Sequence, residues 1–239
     1  MKIQFLGTGS ISAIANPSSY LIDDKLLIDC GNGITKVLLK HNNPYDINTL
    51  LVTHLHGDHI ADIPFLILIR SFINIQNKLT IYGPKNIEEV VKEMGLIYFD
   101  EGKNVWDEFF KKANVEFVEI ENGEYKIDDY LINVIDVEHG DFKPAYGFII
   151  NNKIGFSGDS SLCANIEKML EEVDYAILDT SFLKGGPSHM GLDIFKELST
   201  KYLNTILIPT HMNDEVRVEL KSLNNKNIQV YDDLDILVL

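Results

Sequence analysis

The chain has 239 residues, 45% of them hydrophobic, enough to bury a substantial core and of a length expected to form one domain over residues 1–239. Its 21 Lys and Arg against 36 Asp and Glu leave a net charge of −15, which argues against a long nucleic acid as partner, because polyanions are held by clustered cations. A small anionic substrate stays open, since bound cations can dominate the field inside a pocket.

No stretch approaches the ~20 continuous apolar residues of a membrane span, and "MKIQFLGTGS" is too weakly apolar for a signal peptide. Cys30 and Cys163 stand alone without CxxC spacing, which leaves no disulfide framework and no cysteine-based zinc site; the cytoplasm is the expected compartment.

In chain order, the pattern predicts strands at 2–6, 19–22 and 26–29, a helix at 31–39, a strand at 50–53 and a helix at 60–74. A strand at 79–82 and a helix at 86–96 follow. Trp106, Phe109 and Phe110 then recur at helical spacing and read as core, lid or interface. The stretch 115–157 is hairpin-like, with strands at 115–119, 131–137, 146–150 and 154–157. A helix at 162–171, a strand at 175–178, a helix at 192–202, a strand at 205–208, a helix at 214–223 and a strand at 236–239 complete the chain. The 192–202 helix shows its apolar stripe at Leu192, Phe195, Leu198 and Tyr202. This is an α/β order that suits two mixed sheets packed face to face with helices outside.

The segment "LVTHLHGDHIADIP" places His54, His56, Asp58 and His59 directly after an apolar run. Alternate residues of an extended chain share a face, so His54 and His56 can converge on one ion. A bend at Gly57 then lets Asp58 and His59 aim at a second point nearby. Neutral imidazole suits zinc, and a carboxylate completes a borderline-hard site. Three more candidate ligands stand at the ends of predicted strands: His139 after "LINVIDVE", Asp159 after "KIGFSG" and His211 after "NTILIPT".

That ordered set, preceded by Asp29 in "LLIDCG", resembles the metallo-β-lactamase superfamily. The resemblance implies the αββα sandwich and two divalent ions, zinc with manganese as the other choice. One ion would be held by His54, His56, His139 and Asp159, the other by Asp58, His59, Asp159 and His211. Asp159 would bridge them, and Asp29 would orient a ligand loop. "FLGTGS", "THLHGDHIADIPFLI", "HGDFKPAYGFII" and "PSHMG" are similar to the phosphodiesterase branch, which includes ribonuclease Z and cyclic-nucleotide phosphodiesterases. That branch implies hydrolysis at phosphorus by a water that the two ions make acidic. Asp58 would orient this water or take its proton, and His189 would contact the phosphoryl oxygens or protonate the leaving alkoxide.

Departures from the branch narrow the substrate. Transfer-RNA-processing members carry a His-Glu-Ala-Thr-Phe type segment where this chain has Leu178, Asp179, Thr180, Ser181 and Phe182. They also insert a long basic arm between the third-motif histidine and the bridging aspartate, whereas His139 and Asp159 are 20 residues apart. A cysteine-rich extra zinc site, known from a related phosphoribosyl cyclic phosphodiesterase, is missing too. The chain is similar to anti-Pycsar phosphodiesterases, which implies a small cyclic nucleotide, cyclic CMP or UMP, as substrate, a homodimer, and a host cytoplasm if the gene is a phage's. Ribonuclease Z activity and thioester or lactone hydrolysis on the same fold are the alternatives. A diiron oxygen-reducing enzyme is disfavoured by His56, where that branch has a glutamate.

The remaining residues read blandly. His41 would be a solvated residue at a helix end, Gly7 and Gly9 would shape a tight turn, and Asp232, Asp233 and Asp235 would form a solvated turn before the last strand.

Overall fold

The computed structural model describes residues 1–239 apart from Asn74, Asp100, Glu101 and Asn224, and apart from the side chains of Lys103 and Asn104. By internal contacts the chain divides into two compact units, one of residues 1–7, 16–120 and 233–239 and one of residues 8–15 and 121–232.

The first unit is built on β1 (Lys2–Gly7), β2 (Ser19–Ile22), β3 (Leu26–Ile28), β4 (Thr49–Leu51), β5 (Leu79–Gly83), β6 (Val115–Glu119) and the C-terminal strand Ile236–Val238. The C-terminal strand pairs with β1, and from there the order runs β1-β2-β3-β4-β5-β6. Pairing is antiparallel as far as β3 and parallel from β3 to β6. Parallel neighbours need crossovers, supplied by α1 (Ile34–His41), by α2 (Gly57–Ile60) with α3 (Ile63–Ser71), and by α4 (Ile87–Phe99) with α5 (Lys103–Ala113). One apolar core joins these helices to the sheet through Leu38, Leu50, Ile67, Ile81, Val91 and Trp106. Trp106 and Phe110 are thus core residues, and His41 is an exposed residue in the last turn of α1.

The second unit carries β7 (Gly123–Ile127), β8 (Tyr130–Asp136), β9 (Tyr146–Ile150), β10 (Ile154–Phe156), β11 (Tyr175–Asp179) and β12 (Ile206–Thr210), in the order β12-β11-β10-β9-β8-β7. Here β7 to β10 pair antiparallel and β10 to β12 parallel. The two parallel steps are crossed by α6 (Ala164–Glu172) and α7 (Leu192–Lys201), and α8 (Asp214–Leu220) follows β12. The C-terminal strand Ile236–Val238 is β13. Both sheets are therefore mixed and flanked by helices. No helix among the described residues is long and apolar enough to cross a membrane.

Several differences from the sequence reading have local causes. The helix expected over 60–74 is two helices, α2 and α3, because Pro64 has no N–H for the carbonyl of Ile60 and its ring would collide with that carbonyl; the expected last residue, Asn74, lies outside the described residues. Strand β4 stops at Leu51 instead of Thr53, since the Thr53 N–H is diverted to the Asp29 carboxylate at 2.8 Å. Strand β7 escapes the reading because it is an edge strand, "GEYKI", with only Ile127 buried. Helix α5 is bounded by left-handed residues, Gly102 at φ 81° and Asn114 at φ 53°.

Arg70 on α3 is fully buried, with its guanidinium donating to the carbonyls of Pro44, Ile47 and Asn77 at 3.3, 3.1 and 2.6 Å. Burial pulls its pKa down to about 10, so it stays charged at neutral pH. It ties α3 to the loop that enters β4. Arg70→Met should orphan three carbonyls and lower stability by about 2–4 kcal/mol. An unchanged urea midpoint would show that these bonds do not stabilise the unit.

Candidate metal centre

In the first unit the motif follows β4. The chain runs extended through His56 (φ −73°, ψ 151°), the residue that caps α2, and enters the helix at Gly57. The bend is therefore a helix start. Gly57 has no left-handed φ, and a Cβ there would meet open space, so the turn role expected of this glycine belongs to the extended-to-helical transition. The crowded glycine is Gly31, where a Cβ would collide with the Asp58 carbonyl oxygen; its absence lets the "DCGNG" loop lie against the motif.

Hydrogen bonds fix the imidazoles. The Asp29 carboxylate, 2% exposed, accepts from the Thr53 N–H and the Thr53 hydroxyl at 2.8 Å each and from His59 Nδ1 at 2.7 Å. A carboxylate only accepts, so His59 carries its proton on Nδ1 and presents the Nε2 lone pair. The Thr53 hydroxyl, spent as donor on Asp29, is left to accept from His54 Nδ1 at 3.0 Å, which gives His54 the same tautomer. His54 Nε2 then lies 3.0 Å from His56 Nδ1, and His59 Nε2 lies 3.7 Å from an Asp58 oxygen. Two donors on one tetrahedral ion with ~2.0–2.1 Å bonds stand about 3.3 Å apart, so both pairs fit shared coordination. Asp29 thus holds, from behind, the segment that carries His54, His56, Asp58 and His59.

The second unit collects His139, Asp159, His189 and His211. Asp159 follows β10 through Gly158, whose φ of 58° turns the chain sharply at the strand end. His211 follows β12 and itself has φ 54°. Both lie at carboxyl ends of parallel strands, where α/β sheets gather ligands. His139 Nδ1 donates to the Ser188 carbonyl at 2.8 Å, leaving Nε2 as its donor atom. His211 Nε2 is 3.4 Å from Asp159 Oδ2, again the spacing of two ligands on one ion. Asp159, Asp179, His189 and His211 each offer an atom, and all four atoms lie within 4.8 Å of one another. Nitrogen and carboxylate donors with fixed tautomers fit a divalent cation.

The residue that the sequence reading missed is Asp179. It is fully buried at the end of β11 and accepts from Ser160 N at 3.0 Å, Ser181 N at 3.1 Å, Ser181 Oγ at 2.6 Å and His189 Nδ1 at 2.8 Å. Ser181 Oγ, having donated to Asp179, accepts from His211 Nδ1 at 2.8 Å, which leaves Nε2 as the nitrogen able to ligate. One carboxylate therefore orients both a ligand candidate and His189. Burial alone would lower the His189 pKa, but the hydrogen bond and charge of Asp179, with Asp159 behind it, outweigh burial and leave it raised. The signal available in the sequence was position: Asp179 ends a predicted strand just as the other candidates do. Thr53 was hidden more deeply, inside what read as a strand.

Elsewhere, Gly7 is a position of close approach, where a Cβ would collide with the Pro17 carbonyl oxygen. Asp233 accepts from Asn16 N at 2.8 Å and Asp232 pairs with Arg217, so the acidic turn is hydrogen-bonded into its surroundings.

Comparison with known proteins gives a consistent picture. A family model described as Anti-Pycsar protein Apyc1 matches residues 1–229. Ribonuclease Z of Haloferax volcanii is 31% identical over 164 residues, 65% of this chain and 48% of that protein. The chain spans about half the length of the curated relatives it matches. Among solved structures, a diphosphatase from the PhnP family superposes with a TM-score of 0.82 at 21% identity, covering 100% of this chain and 97% of the other. The metallo-β-lactamase fold protein YhfI from Bacillus subtilis gives 0.77 at 19% identity, covering 99% of both. Likeness at these identities shows the fold, which is that of the metallo-β-lactamases.

Proposed function

The chain belongs to the anti-Pycsar Apyc1 family, and from that membership we propose that it is a metal-dependent phosphodiesterase hydrolysing a small cyclic nucleotide, with cyclic CMP or UMP the first to try. The observation that carries this reading is the second unit's backbone between His139 and Asp159. A short loop at 140–145, strands β9 and β10, the tight turn 151–153 between them and residues 157–158 use up all of it, which leaves no length there for an RNA-gripping arm. The net charge of −15 supports a small substrate over a long polyanion. The identities with ribonuclease Z favour the second reading, transfer-RNA 3′ processing.

The proposed ligand set is the one implied by the resemblance: His54, His56, His139 and Asp159 for one ion, and Asp58, His59, Asp159 and His211 for the other, with zinc or manganese bound. When bound, the ions supply Lewis-acid stabilisation of phosphoryl charge and acidify water. Asp58 orients the attacking water and takes its proton. The water oxygen bonds to phosphorus, the ring P–O bond breaks, and the departing alkoxide is protonated. With Nδ1 committed to Asp179, Nε2 of His189 is the atom that exchanges this proton. The chain is proposed to act as a cytoplasmic homodimer, whose mass light scattering reads directly.

The test is a metal-reconstituted assay with cyclic mononucleotides and a precursor transfer RNA, with products weighed. A cyclic nucleotide should gain one water while the precursor stays intact. Site-specific release of a 3′ trailer, with cyclic nucleotides untouched, would establish the second reading in its place.

A further inference from the structure

We infer that the ring of Phe182 is the platform on which the base of a nucleotide substrate stacks; this rests on the nucleotide reading above. Phe182 directly follows the Ser181 network, and its side chain is 43% exposed. Its backbone is nevertheless fixed on both sides. Ser181 N and Oγ donate to Asp179, the Ser181 carbonyl accepts from Asn213 N at 3.2 Å, and the Phe182 carbonyl accepts from Leu192 N at 2.8 Å. A large apolar ring left partly in water is unfavourable for the free protein, and the adjoining Leu183, 40% exposed, enlarges the apolar surface.

Position gives the ring its role. Its centroid is 5.7 Å from that of His189 at an interplanar angle of 74°, and His189 in turn stacks on His211 at 5.4 Å and 9°. Phe182 therefore stands one aromatic spacing from the imidazole assigned to the leaving oxygen. In a nucleotide a single sugar ring separates that phosphoester from the base, so a stacking surface is required about one ring away from the reacting group. Stacking on a phenyl ring tolerates every base, since each has a π-face. The inferred substrates are thus phosphodiesters that carry a planar base, with weak preference among bases.

The experiment compares binding of cytidine 5′-monophosphate with binding of base-free ribose 5-phosphate by calorimetry, on the metal-reconstituted protein. Phe182→Ala and Phe182→Leu should weaken the nucleotide by about 10- to 100-fold and leave ribose 5-phosphate unchanged, whereas Phe182→Tyr should retain both. In Phe182→Trp the nucleotide should quench the new indole emission and ribose 5-phosphate should not; the native Trp106 is buried, so its own emission should stay constant as either ligand is added. Equal weakening of both ligands, or none of either, together with an indole emission in Phe182→Trp that does not respond to the nucleotide, would overturn the inference. Because binding is read without turnover, absence of cyclic-nucleotide hydrolysis alongside intact base discrimination would reject the proposed reaction and leave the stacking role standing.

Discussion

Asp159→Ala is expected to leave the purified, metal-reconstituted protein with far less metal than the parent and to cut phosphodiester turnover on the order of 10³-fold or more. The side chain is 4% exposed, is aimed by the left-handed Gly158, and brings Oδ2 within 3.4 Å of His211 Nε2. A carboxylate proposed to serve two ions should take both with it when removed. His54→Ala, by contrast, should mainly empty one position and retain about half of the metal. Asp159→Asn keeps the shape and removes the charge, so it should behave like the alanine variant. Elemental analysis showing full occupancy in Asp159→Ala would sink the shared-ligand assignment, and full occupancy in Asp159→Asn alone would show that shape is enough.

His189→Ala should keep its metal yet lose roughly 10²-fold or more in turnover of an alkoxide-leaving substrate, because the imidazole is assigned to the departing oxygen. The loss should shrink for a nitrophenyl phosphodiester, whose phenolate departs without a proton. An equal loss with both substrates would instead mean that His189 stabilises phosphoryl charge. Asp179→Asn separates orientation from proton transfer. Asp179 anchors His189 at 2.8 Å and, through Ser181, His211 as well, so this variant should weaken metal affinity about 10- to 100-fold and lower turnover together. Unchanged metal affinity in Asp179→Asn would show that the Ser181 bridge does not orient the ligand.

Much of the scaffold was legible in the sequence. Strands such as Ser19–Ile22 and Tyr146–Ile150 appear where the apolar runs placed them, because a buried strand must be apolar along its length. The convergence of His54 and His56 followed from the alternation of an extended chain, and their nitrogens lie 3.0 Å apart. Gly57 misled because a glycine beside ligands suggests a special φ, when the helix start alone makes the bend. The β7 edge strand went unread because a strand with one solvated side has little apolar signal.

The sequence by itself determined the α/β order, the chemistry of the donors and their recurrence at strand ends, because periodicity and residue type are local properties. Only the tertiary structure decided how those donors are held. The Asp29–His59 and Ser181–His211 hydrogen bonds each join residues 30 positions apart, and Arg70 reaches carbonyls 26 and 23 positions away. Which nitrogen of each imidazole carries the proton depends on those partners, as does the duty of Asp179, which is an ordinary strand-end aspartate until Ser160, Ser181 and His189 fold around it. Hydrogen bonds between distant segments form only when the chain has packed, so the tautomers on which ligation depends are properties of the fold.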